Sequence, residues 1–148
     1  MAFKRVAVLG MVAAIAGLLA APSPVFAGPI ERLFTRHHGV IPACDSSWAL
    51  QIIASRFGNR DRLYWGSSES LTQFGHVREI AYRPWGHEYV PRRYCQAKVR
   101  VSDRRDTRVD YSIIEKGGFA GVGWGVEWCV VGYDYNLAYA PNCRAARP

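Results

Sequence analysis

Phe119-Ala-Gly-Val-Gly-Trp-Gly-Val-Glu-Trp-Cys-Val-Val131 is the stretch whose reading decides the fold. Val122, Trp124, Val126, Trp128 and Val130 occupy every second position, the period of a strand whose side chains alternate between two faces. Gly121, Gly123, Gly125, Glu127, Cys129 and Val131 fill the other parity, which is nearly bare in its first half. Interior glycines weaken a strand unless something approaches closely. The stretch is therefore expected at the centre of a small sheet, with a helix lying close over the glycines and Trp124 and Trp128 turned the other way.

The segments before it supply the rest of that sheet. Residues 94–102 alternate cleanly, with Cys95, Ala97, Val99 and Val101 inward and Tyr94, Gln96, Lys98 and Arg100 outward. Residues 108–115 return as a strand through Val109, Tyr111 and Ile113, and residues 71–83 read as a longer strand with a possible bulge at Gly75. The connections are too short for parallel crossovers, so the strands run antiparallel. Upstream, Asp45-Ser-Ser-Trp48 offers N-cap residues, and Trp48, Ile52, Ile53 and Phe57, with Leu63 and Tyr64 beyond, recur about once per helical turn. Gly58-Asn59 is an expected end or kink. The result is an α+β domain: one main helix packed on a curved, mainly antiparallel sheet of about four strands, resembling a cystatin-like or NTF2-like roll.

The chain opens differently. Lys4 and Arg5 precede an apolar run, and Val25-x-Ala27 supplies small residues at a cleavage position, the layout of a secretory signal peptide over residues 1–27. The run is short for a membrane span and is broken by prolines. An extended lead-in (28–43) and a single domain (44–148) follow. The whole chain has 19 basic and 12 acidic residues; loss of Lys4 and Arg5 leaves a formal charge of +5 on the exported part. Such a domain favours anionic partners, including lipid headgroups, acidic glycans and single-stranded nucleic acid.

Cys44, Cys95, Cys129 and Cys143 are an even set in an exported chain and read as two disulfides. Cys44–Cys95 with Cys129–Cys143 is the favoured pairing, because the second bridge closes the tail onto the strand it follows. Cys95–Cys129 with Cys44–Cys143 is nearly as good. No C-x-x-C occurs, and the pair His37-His38 lacks a third ligand nearby, so no metal site is assigned. No cofactor motif is present. Gly121-x-Gly-x-Gly125 lacks dinucleotide-binding spacing and runs into a strand rather than a helix.

Two constellations remain. Glu127, in mid-strand among apolar neighbours, is the acid to watch, with His76 as a weaker acid–base candidate. A buried ion pair with Arg78, Arg92 or Arg93 is its expected state. The second constellation sets arginine beside aromatic rings: Arg92, Arg93 and Trp85, together with Trp124 and Trp128, form a candidate binding surface, and Arg100, Arg104, Arg105 and Arg108 gather near one hairpin turn.

Ile80-Ala-Tyr-Arg-Pro-Trp85, Pro91-Arg-Arg-Tyr-Cys95, residues 119–129 and Ala140-Pro-Asn-Cys-Arg-Ala-Ala-Arg-Pro148 together resemble a family of small exported bacterial proteins of unknown function. The resemblance implies export and one domain type, and no activity. Expectation therefore centres on an exported, disulfide-stabilised binding or structural domain in the periplasm or outside the cell. Its ligand would be an anionic lipid or glycan. The rivals are a small enzyme around Glu127 and an inhibitor or protein-partner module.

Overall fold

The computed structural model describes residues 37–84 and 90–148; the signal-peptide reading, most of the lead-in and Trp85 lie outside them. A helix, α1 (Ser47–Arg60), is followed by a short π-helical turn (Asp61–Trp65) and four strands: β1 (Leu71–Arg83), β2 (Arg92–Val101), β3 (Arg105–Ile114) and β4 (Gly125–Val130). The strands form one antiparallel sheet in the order β1-β2-β3-β4. The α+β class and the succession of one helix and four strands agree with the alternation read from the sequence.

The stretch that opened the reading is placed differently. β4 is an edge strand, and the inner strands are β2 and β3. The first six residues of the stretch, 119–124, are not strand at all, and 119–121 among them form a 3-10 turn. The glycines serve that turn rather than an approach by the helix. A Cβ on Gly125 would sit 2.1 Å from the Gly117 carbonyl oxygen, so the two backbones are in direct contact where the β3–β4 hairpin closes. Gly121 and Gly123 hold φ of +76° and +70°, which an L side chain rarely adopts.

The facing of β4 is also reversed. Val126, Trp128 and Val130 share a core with Ala49, Ile53 and Phe57 of α1, so the bulky parity points at the helix. Register explains this: Tyr111 pairs with Trp128 and Val109 with Val130, and these β3 residues already face α1. Cys95 faces the helix side as expected, whereas Cys129 packs on the far side with Cys143 and Ala146.

α1 starts after Ser46, without a side-chain cap bond, and runs through Gly58-Asn59 unbroken. It buries Ala49, Ile53 and Phe57. Leu63 and Tyr64 leave the apolar stripe, because the wider π turn rotates them into solvent. Gly66, in the left-handed region, ends that turn with its N–H bonded to the Asp61 carbonyl.

The bridges are Cys44–Cys95 and Cys129–Cys143. The first ties the segment before α1 to β2 beneath the helix, where the Tyr111 hydroxyl also donates to the Cys44 carbonyl. The second pins the C-terminal tail to the far face. Two disulfides point to an oxidising, exported setting, and no helix among the described residues is long and apolar enough to cross a membrane.

Candidate functional site on the open sheet face

The sheet has two unlike faces. One is roofed by α1. The other is covered over β3 and β4 by the tail and stands open over β1 and β2. The tail is held there by three attachments: the Cys129–Cys143 bridge, the Arg108 guanidinium donating to the Asn142 carbonyl at 3.3 Å, and Arg147 facing the Asp110 carboxylate at 3.6 Å. Asp110 is fully buried, with one oxygen accepting from the Gln96 amide (2.8 Å) and the other from Arg108 (3.1 Å). β3 is thus covered on both faces, which is why it is buried continuously from Val109 to Ile114.

Where the tail stops, a cleft of about 500 Å3 opens, lined by His76, Arg78, Gln96, Lys98, Asp106 and Arg108. Alternation brings these together: Gln96, Lys98 and Arg100 are the outward parity of β2, and Lys98 stands opposite Arg108 across the β2–β3 ladder. On the other side Arg78 pairs in register with Gln96. A neighbouring hollow of about 310 Å3 shares His76, Lys98 and Asp106 and continues the groove towards Gln73 and Arg100. His76 sits at φ +48° within the register shift between Gly75 and Arg78, a bulged position in β1 at the mouth of the cleft.

Charge on this face is unbalanced. Arg100 holds Asp106 in a two-pronged pair at 2.7 and 3.1 Å, which keeps the Asp106 carboxyl below its ordinary range and raises the Arg100 guanidinium. Asp110 is shared by Arg108 and Arg147. Arg78 spends its hydrogen bonds on the neutral Gln96 side-chain oxygen and makes no ion pair among the described residues. Lys98 has no ion-pair partner among the described residues. Around the cleft Arg78, Lys98, Arg100, Arg108 and Arg147 thus outnumber Asp106 and Asp110, and an excess of one sign of charge concentrates oppositely charged ligands.

The residues singled out from the sequence do not converge. Glu127 is ion-paired with Arg92 at 2.8 Å, as expected, but the pair is half exposed rather than buried, because the tail packs over Cys129 and not over these two side chains. Glu127 on β4 and His76 on β1 are separated by three strand spacings, about 14 Å. They form no joint acid–base site. Arg93 lies on the helix side, with its guanidinium over the Tyr82 ring at 4.1 Å and bonded to Glu79 and to the Ile41 carbonyl (3.2 Å). Arg92 is on the open side, near Tyr94.

Trp128 packs against Phe57 with the Arg60 guanidinium 4.5 Å from its ring, so its surface is already used inside the fold. Burial there lowers the Arg60 pKa. Trp124 meets Trp48 edge-on, and its indole N–H donates to the Val40 carbonyl at 3.0 Å. Trp124 and Trp128 thus lie on the helix side, away from the arginine-rich face. His37 and His38 are drawn to Glu115: the His38 and Gly39 N–H groups donate to its carboxylate at 2.7 and 2.8 Å. Among the described residues no group of three or more His, Cys, Asp or Glu is placed to hold a metal ion.

Gln96 and Lys98 are the site residues that sequence reasoning passed over, and Arg78 meets Gln96 rather than Glu127, the partner expected for it. The outward parity of β2 was their signal, since it names Gln96, Lys98 and Arg100 as neighbours on one face. Compared with models of known protein families, with curated proteins and with solved structures, the chain matches none.

Proposed function

We propose that the chain is an exported, disulfide-stabilised binding domain whose basic sheet face takes an anionic group of the cell envelope. The observation that carries this reading is the cleft of about 500 Å3 in which Arg78 and Lys98 make no ion pair among the described residues, the Asp106 carboxylate in its wall being held by Arg100. Its volume falls within the range of small-ligand sites. Arginine and lysine there suit a phosphate or carboxylate group, the arginine by two-pronged donation and the lysine as a mobile point charge. Export after cleavage near Ala27 belongs to the same proposal, supported by the charged start, the apolar run and the small residues before Gly28. So does a cystatin-like or NTF2-like roll, supported by the order of helix and four antiparallel strands.

The test is calorimetric titration of the exported, oxidised protein with glycerol phosphate and, separately, with a uronic-acid oligosaccharide, at low and physiological salt. Saturable, salt-sensitive heat with one of them, abolished in the double variant R78E and K98E, supports the reading and tells phosphate from carboxylate. Equal heats in wild type and variant, or none with either probe, refute it.

A further inference from the structure

The second unexplained surface lies at the end of the sheet where β3 passes into β4. Here Phe119 is 96% exposed, Val122 63% and Trp124 42%, with Val40 and Trp48 beside them. Single exposed apolar residues are ordinary; a contiguous group on one protrusion marks an interaction surface. The loop is not a loose segment that fails to fold inward. The Gly121 N–H donates to the Gly118 carbonyl and the Val122 N–H to the Phe119 carbonyl, and Gly117 presses on Gly125 at the base of the loop. Phe119 and Val122 are thus carried outward on a braced hairpin. Behind them the Trp48–Trp124 pair is half exposed, with one indole N–H already bonded, so it presents ring edges at the height where apolar and wet surroundings meet.

The surrounding charges select the partner. Arg83 and Arg92 flank the Tyr94 ring at the same end of β1 and β2, and Lys116 sits at the base of the loop. The acids on the strands that end here are already held: Glu79 by Arg93, Glu115 by the His38 and Gly39 N–H groups, and Glu127 by Arg92. A protruding apolar tip with aromatic residues behind it and cations around it matches the interfacial zone of an anionic bilayer.

We propose that this end of the molecule is a foot that seats on an anionic membrane surface, with Phe119 and Val122 below the headgroups, the Trp48–Trp124 pair at their level, and Arg83 against the lipid phosphates. The foot is a different surface from the cleft and stands independently of it. It would hold the domain at the membrane while the basic sheet face remains open.

The test is flotation of the exported, oxidised protein with vesicles of phosphatidylcholine alone and of phosphatidylcholine mixed with phosphatidylglycerol, whose anionic headgroups give the surface a negative potential. The comparison is with the double variant F119S and V122S in the same N-terminal state. Both positions are solvent-facing, so closed disulfides and unchanged circular dichroism serve as the folding control. The wild type is expected to float with the anionic vesicles, less so as salt rises, and F119S with V122S to partition about tenfold less by loss of buried apolar area. R78E with K98E should still float, which keeps failure of the foot distinct from failure of the cleft. Absence of flotation, flotation of F119S with V122S equal to wild type, or light scattering of a dimer that these substitutions dissociate would each overturn the proposal, the last by assigning the tip to a second copy of the chain.

Discussion

The helix-covered face and the open face of the sheet are built from alternate residues of the same strands, yet different forces hold them. On the helix side Ile53 and Phe57 meet Val99, Val109, Tyr111 and Trp128, and the contacts are apolar and closed. On the other side the same strands carry Gln96, Lys98, Asp106, Arg108 and Asp110, and what order there is comes from ion pairs and from the tail that Cys129–Cys143 fastens down. The comparison teaches where stability and recognition reside. The covered face determines whether the chain folds, and the uncovered part of the other face is free to be charged.

The largest effect should come from the closed face. Phe57→Ala removes a fully buried ring that touches Trp128 and Tyr133, and about 3–5 kcal/mol of stability should be lost in urea unfolding. The bridges come next and sharpen the comparison. Cys44–Cys95 spans 51 residues of sequence and Cys129–Cys143 only 14, so replacing each pair by serine should cost about 4 and about 3 kcal/mol respectively. A larger loss from the tail bridge would show that the open face contributes more to folding than its contacts indicate.

Asp110→Asn should cost about 1–3 kcal/mol, because it unpairs Arg108 and Arg147 above a buried position. It should also loosen the tail, measured as faster amide exchange in residues 137–148. Alkaline pH acts on the closed face through Tyr111. Burial pushes its hydroxyl well above the ordinary value, so the unfolded chain loses that proton first, near pH 10, and the folded chain does not follow. Stability should be intact below about pH 10 and decline above it. Tyr133 and Tyr139, also raised by burial, act in the same sense, so Tyr111→Phe should reduce the alkaline loss without removing it.

Much of this division was legible in the sequence. The clean alternation of residues 94–101 named both faces of β2, and closure of the tail onto the strand it follows favoured the pairing that is found. The facing of β4 was not legible, because parity separates two sets of side chains without saying which cover each set receives. Here both covers exist, the helix on one side and the tail on the other. The glycines misled for a related reason: bare backbone marks a close approach but not by what, and the partner was Gly117 in the same hairpin rather than α1.

The cleft was least legible. It depends on the cross-strand register of β1 against β2, which three register shifts in β1 set and no residue pattern announces. Arg78 meets Gln96 only because of those shifts. Glu127 looked buried because its neighbours are apolar, and it is not, because the tail closes over Cys129 on that face and leaves Glu127 half exposed beside Arg92.

The measurement that tests the division most directly is amide chemical-shift mapping of the oxidised protein during titration with glycerol phosphate at low salt. The account predicts shifts confined to residues 76–78, 96–98 and 106–108, fading at physiological salt and absent in R78E with K98E, while α1 and its partners stay unmoved. Shifts centred on α1 or on Trp128, or a spectrum that glycerol phosphate leaves unchanged throughout, would contradict it.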